Sequence, residues 1–127
     1  MDYQVLMDKA IEVSKFAYAP YSHFAVGACV VGESGNIYTG CNFENSSFGL
    51  TICAERNAIG TAIANGEKNI QAIAIYSPNS QDCSPCGACR QVISEFCGPE
   101  GIDVITLTSE GLKIRNLNEI LPERFRL

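Results

Sequence analysis

The chain has 127 residues, 46% hydrophobic and 18% charged, with nine Lys and Arg against 14 Asp and Glu for a net charge of −5. That length suits one domain, expected to span residues 1–127 and able to bury about two-thirds of the surface its unfolded chain exposes, and the composition excludes a disordered or fibrous protein. With an acidic balance and no basic run, tight binding to a nucleic-acid backbone is excluded as well, because that requires clustered cations.

From Asp2 to Ala19 the residues Val5, Leu6, Ala10, Val13, Phe16 and Ala17 recur at helical spacing, with Asp2 as the cap and Pro20 as the stop. Asp2, Asp8 and Glu12 interrupt this apolar pattern, which fits neither a signal peptide nor a membrane span, so a cytoplasmic location is expected. Ala25 to Val31 and Ile37 to Cys41 read as a hairpin around the turn residues Glu33 to Asn36. A polar loop leads to a helix from Ala54 to Asn65 with Gly66 as its stop, and then to a buried strand from Ile70 to Tyr76. Pro85 suits the first turn of a helix that Val92, Ile93 and Phe96 carry to about Cys97, before Gly98 and Pro99 end it. Strands at Val104 to Leu107 and Leu112 to Arg115 follow, and Leu117 to Leu121 forms a last helical turn before Pro122. Helices interleaved with strands that pair both as hairpins and through crossovers imply one mixed sheet covered by helices.

Seven cysteines is an odd count, which argues against a complete disulfide framework and leaves packing, metal binding or catalysis to explain the thiols. In Ser84-Pro85-Cys86-Gly87-Ala88-Cys89-Arg90 two thiols stand three residues apart, on one face of a helix and within its first turn, where free N–H groups favour thiolate. Cys53 opens the other central helix, so three thiolates converge if the two helices lie side by side. Three protein ligands on zinc leave a fourth position open, as in catalytic rather than structural sites. Glu55, two positions beyond Cys53, reaches that position as a general base without being a ligand. Zinc with three thiolates carries a net negative charge and acidifies water poorly, so Arg56 is expected to compensate by donating to ligand sulfurs.

Other readings fit parts of this pattern. A lone C-x-x-C is only moderately specific and by itself fits a structural zinc or redox role about as well as a catalytic one. Cys83-x-x-Cys86-x-x-Cys89 matches the first three positions of an iron–sulfur run, but Cys97 comes eight positions after Cys89 rather than four. Cys83 could also close a four-thiol structural zinc site, which would give Glu55 no purpose. Cys29, Cys41 and Cys97 read as small buried hydrophobes, and His23 as a polar loop residue.

Cys53-Ala54-Glu55-Arg56 and Ser84 to Val92 resemble the zinc-dependent cytidine deaminases of the homotetrameric type. So do Pro20 to Ala28, Gly40-Cys41-Asn42-Phe43-Glu44-Asn45, and Leu117 to Phe125, in the same order along the chain. The resemblance implies a three-layer α/β/α fold around a central mixed five-stranded sheet. It also implies hydrolytic deamination of cytidine and deoxycytidine to uridine and deoxyuridine in pyrimidine salvage. Its cofactor is zinc on Cys53, Cys86 and Cys89, with Glu55 moving the protons. It further assigns Asn42 and Glu44 to the ribose, Phe24 to the pyrimidine, the Ala54 N–H to the ring carbonyl and the Ser84 carbonyl to the amino group. Phe125 would reach into the site of a neighbouring subunit. Many members carry Tyr where this chain has Phe48, so a hydroxyl near the nucleoside 5′ end is missing here. A blasticidin S-type nucleoside deaminase and a structural zinc module are the alternatives.

Overall fold

The N–H of Gln4 donates to the Asp2 side chain at 2.9 Å, and from that cap the first helix, α1 (Tyr3–Ser14), buries Leu6, Met7 and Ala10 along one face. The structure is a computed structural model describing residues Met1–Leu127. The helix ends at Ser14 rather than at the expected Ala19. Phe16 and Ala17 close tight bonds back to Val13 and Ser14, and Tyr18 then pairs with the chain at Phe43 in an isolated bridge, which requires extended backbone. Phe16, placed on the apolar face by its spacing, is instead 76% exposed.

β1 (Gly27–Gly32) and β2 (Ile37–Cys41) form the expected antiparallel hairpin, with Val31 opposite Ile37. The first strand starts two residues later than its composition suggests. The N–H groups of Ala25 and Val26 go to the side chains of Asn79 and Asn42, outside any ladder. A short 3-10 turn (Phe48–Leu50) precedes α2 (Ala54–Ala64), which ends before Gly66 at φ +93°. β3 (Ile70–Tyr76), α3 (Gly87–Glu95), β4 (Asp103–Thr108), β5 (Gly111–Asn116) and α4 (Leu117–Ile120) complete the chain.

The five strands lie in the order β2-β1-β3-β4-β5. Only β3 and β4 are parallel, and α3 makes the crossover between them. Side chains alternate between two faces along each strand, and on β1, β3 and β4 both faces are apolar, so the sheet needs cover on both sides. Cys29, Val31, Ala72, Ala74 and Ile105 pack against α1 on one face. Ala28, Val30, Ile73, Ile75 and Val104 pack on the other against Ala58 and Ile59 of α2, Ile93 of α3 and Leu117 of α4. The result is three layers, α/β/α, around a mixed five-stranded sheet, as expected.

Neither α2 nor α3 is long enough to be stable alone, so burial of their inner faces holds them, at about 1.5–3 kcal/mol for each fully buried large apolar side chain. Gly40 fixes how close α2 comes to the sheet. A Cβ there would lie 2.4 Å from the Ala58 nitrogen and 2.8 Å from the Ala54 oxygen, so β2 runs directly against the first turns of α2.

Candidate active site

Two isolated bridges assemble the site's backbone. Tyr18 pairs with Phe43, and Phe43 pairs in turn with Ile52, through bonds of 2.9–3.1 Å that include Glu44 N–H to the Tyr18 carbonyl and a reciprocal pair between Phe43 and Ile52. The polar loop is thereby laid beside Cys53. On this extended stretch Asn42 and Glu44 share one side while Phe43, 48% exposed, faces away.

The Sγ atoms of Cys53, Cys86 and Cys89 all lie within 4.8 Å of one another. Tetrahedral zinc with Zn–S bonds of about 2.3 Å requires S···S separations of about 3.8 Å, so the thiols need only small rotations to fit it. Cys53 and Cys86 are the N-caps of α2 and α3, in extended backbone, and neither side chain caps its helix. Both are free for an ion beside unpaired first-turn N–H groups. Cys86 and Pro85 therefore precede the helix instead of lying within its first turn. Helical bonding starts where the Arg90 N–H meets the Cys86 carbonyl at 2.9 Å, with Arg90 Nε holding the Pro85 carbonyl outside at 2.8 Å.

The thiols differ in acidity. A hydrogen bond from Cys89 and then the Arg56 guanidinium pull the Cys53 pKa far below the ordinary thiol range, while that same bond and burial keep the proton on Cys89. Arg56 Nη2 lies 3.4 Å from Cys53 Sγ, as expected of a residue compensating the thiolates. Cys83 stands outside the trio, and burial, with Glu55 and Asp82 nearby, pushes its pKa up to about 11. It lines the pocket wall, and its sulfur is not among the three that converge. Cys29 and Cys97 are buried and Cys41 half-buried, in keeping with packing roles.

A pocket of about 310 Å³ opens onto the trio, lined by Phe24, Asn42, Glu44, Ala54, Glu55 and Ser84 together with Cys53, Cys83 and Cys86. Glu55 is 5% exposed and accepts no side-chain ion pair; burial first, and the Cys53 thiolate second, raise its pKa above the usual carboxylate range. Two backbone groups in the wall have no partner in the chain. The N–H of Ala54, a fully buried residue, donates to nothing, and nothing donates to the Ser84 carbonyl. Ala54 is fully buried, so its N–H calls for an acceptor from a ligand, whereas Ser84 is an exposed residue whose unpaired carbonyl is open to any donor that enters the pocket.

Asn42, buried, accepts from the Val26 N–H at 2.8 Å and donates to the Phe24 carbonyl at 2.8 Å, which locks its amide while leaving a second lone pair and a second N–H for a ligand. Glu44 accepts from the N–H groups of Tyr21 and Ser22 and from the Ser22 hydroxyl, and this last bond chiefly holds its pKa down, so it is an anion near neutrality. Ser22, inside the Pro20 to Ala28 stretch, lines the pocket without any spacing that marks it as a site residue, and Thr51 and Val26, also in the wall, carry no chemistry that marks them in a sequence. Phe125 lies away from this pocket, 68% exposed, with its carbonyl accepting from Gln91. Phe48, at the loop's edge, stacks at a tilt on Tyr21 with ring centres 5.6 Å apart.

The family model for the cytidine and deoxycytidylate deaminase zinc-binding region matches residues 1–104. A cytidine deaminase from Sporosarcina psychrophila is 39% identical over 98% of this chain and 92% of its own length, and one from Halalkalibacterium halodurans is 40% identical over 98% and 95%. Among solved structures, cytidine deaminase from Burkholderia pseudomallei superposes with a TM-score of 0.89 at 38% identity, covering 98% of this chain and all of the other. That from Mycobacterium tuberculosis gives 0.88 at 35%, covering 100% and 99%.

Proposed function

The chain belongs to the zinc-dependent cytidine and deoxycytidylate deaminases, and from that membership we propose that it hydrolyses cytidine and deoxycytidine to uridine and deoxyuridine, one water entering and one ammonia leaving. The observation that carries this reading is Glu55, a buried carboxyl in the pocket beside three converged thiols that no fourth side chain closes off. A structural zinc module would leave that carboxyl buried to no purpose.

Cys53, Cys86 and Cys89 hold the zinc, which when bound acidifies water and so supplies a nucleophile near neutral pH. Glu55 takes the proton of the attacking water, passes it to ring nitrogen 3, and later delivers a proton to the departing amine, serving in turn as base and acid. Burial suits it to both tasks by bringing the carboxyl closer to neutrality in proton affinity. The unpaired Ala54 N–H binds the ring carbonyl, and the unpaired Ser84 carbonyl accepts from the amino group and follows it as it leaves. Asn42 and Glu44 hold the ribose hydroxyls; a carboxylate at that point repels a 5′-phosphate and favours nucleoside over nucleotide. Phe24, beside the ring, covers its face.

The whole chain acts as one domain and assembles as a homotetramer in which Phe125 completes a neighbour's site. In support, Arg124 and Arg126 fasten the tail to the carbonyls of Gly98, Ser94 and Cys97 on either side of Phe125, which is left projecting. Exposed Tyr18, Phe43, Phe48 and Leu50 offer further apolar surface for such contacts. No helix is long and apolar enough to cross a membrane, and we place the enzyme in the cytoplasm, in pyrimidine salvage. Zinc per chain, loss of cytidine absorbance and mass in solution, measured on one preparation, test these statements together. Bound zinc without deamination would overturn the catalytic reading, and a monomer with full activity would overturn the shared site.

A further inference from the structure

The segment between β3 and α3 that carries Ser84 and Cys86 into the pocket is irregular, and what aims it lies behind it, outside the pocket. Asp82 has φ +51°, a conformation that residues other than glycine seldom adopt. Its N–H donates to the Leu107 carbonyl at 2.9 Å. Its carboxylate receives Thr106 Oγ1 at 2.6 Å and both ends of the Arg115 guanidinium, Nη1 at 2.8 Å and Nη2 at 2.5 Å, with Lys113 Nζ 3.9 Å away. Thr106 is fully buried in β4 and Arg115 stands on β5, so Asp82 is bolted through backbone and side chain to the far hairpin of the sheet. At the segment's other end Arg90 donates to the Ser84 hydroxyl at 3.0 Å and the Pro85 carbonyl at 2.8 Å, and also to the Ile120 carbonyl at 2.6 Å. Between these two fastenings lies the Ser84 carbonyl, which no group of the chain pairs.

We infer that Asp82 and Arg115 are positioning residues for the reaction: their two-pronged ion pair fixes the turn before Cys83 and so aims the Ser84 carbonyl at the substrate's amino group. This rests on the reading of Ser84 given above. A guanidinium matched to a carboxylate through two parallel bonds sets direction as well as distance, which a single point charge does not. Neither residue lines the pocket, so their effect reaches the substrate only through the segment between them.

The test compares Asp82→Asn, Arg115→Met and Arg115→Lys with the unaltered enzyme on two substrates, cytidine and the riboside bearing a methoxy group in place of the amino group. The methoxy compound has no N–H to give to Ser84. In Arg115→Met we expect kcat/KM for cytidine to fall about tenfold or more, as a misaimed group costs, while that for the methoxy riboside falls less than about threefold and zinc per chain stays the same. Arg115→Lys and Asp82→Asn, which keep part of the bonding, should lie between. An equal loss on both substrates would make the pair merely structural and overturn the inference, as would no loss on either. An unaltered enzyme that binds zinc but does not deaminate cytidine would overturn the functional reading itself, and the inference with it.

Discussion

Arg56 Nη2 stands 3.4 Å from the Sγ of Cys53 while the Nε of the same guanidinium is buried without a partner. A buried unpaired donor is costly, at about 1–3 kcal/mol, so a second acceptor belongs beside it, and the sulfurs of the thiol trio are acceptors at hand. Arg56→Gln removes the positive charge that offsets three thiolates. We expect weaker zinc retention against a chelator and a shift of the activity profile toward higher pH, because water beside a more negative centre is harder to ionise. Unchanged zinc retention with an unchanged acidic limb would rule this role out.

In the proposed role Glu55 carries protons and does not hold the metal, so its removal should separate chemistry from metal binding. In Glu55→Gln the amide keeps the shape but cannot take the water's proton. Turnover should drop by roughly 10²–10⁴-fold while metal analysis still finds one zinc per chain. Near-normal turnover would place the proton transfer elsewhere.

The second strand, from Ile37 to Cys41, and the third, from Ile70 to Tyr76, were legible to the residue from their apolar runs and flanking turns. That three thiols could converge was legible from spacing only on the condition that the two helices lie side by side, which the fold meets; a role for Glu55 came from the resemblance as much as from its place two residues beyond Cys53. Ser14 as the end of α1 was not, since the apolar pattern runs on to Ala17 and only the pairing of Tyr18 with Phe43, a contact between distant segments, pulls the chain straight. The same limit hid Asp82 and Arg115. They are far apart in sequence, each is an ordinary surface residue by type, and the sheet order that brings them together is a property of the fold.

At Gly40, β2 meets the first turns of α2, the helix that Cys53 opens, backbone to backbone. A methyl group at 2.4 Å from the Ala58 nitrogen has no side chain to displace, so Gly40→Ala must push α2 away from the sheet. Overpacking of this kind costs about 1–3 kcal/mol, and more when both sides are backbone. We expect a lower melting temperature together with looser zinc, because Cys53 and Glu55 move with the helix. A stable variant with normal zinc affinity would mean that the two elements slide apart without disturbing the site.

Stability should also report on Asp82. The Arg115 guanidinium first, and the Thr106 hydroxyl second, hold its pKa well below the usual carboxylate range. A carboxyl whose pKa is depressed on folding stabilises the native state at any pH above its unfolded value, about 3.9, and loses that contribution as pH falls toward the folded value. The pair is partly solvated, with 32% of the Asp82 side chain and 20% of that of Arg115 exposed, so its worth is discounted to about 1–2 kcal/mol. Asp82→Asn should therefore be less stable than the unaltered chain by about that amount at pH 7, and the gap should narrow progressively below about pH 4. Because thiolate ligands also lose zinc in acid, the quantity to follow is the difference between the two proteins at each pH, from denaturant midpoints. A gap that stays constant down to pH 3 would show that the stabilisation comes from packing of the segment and not from the charge on Asp82.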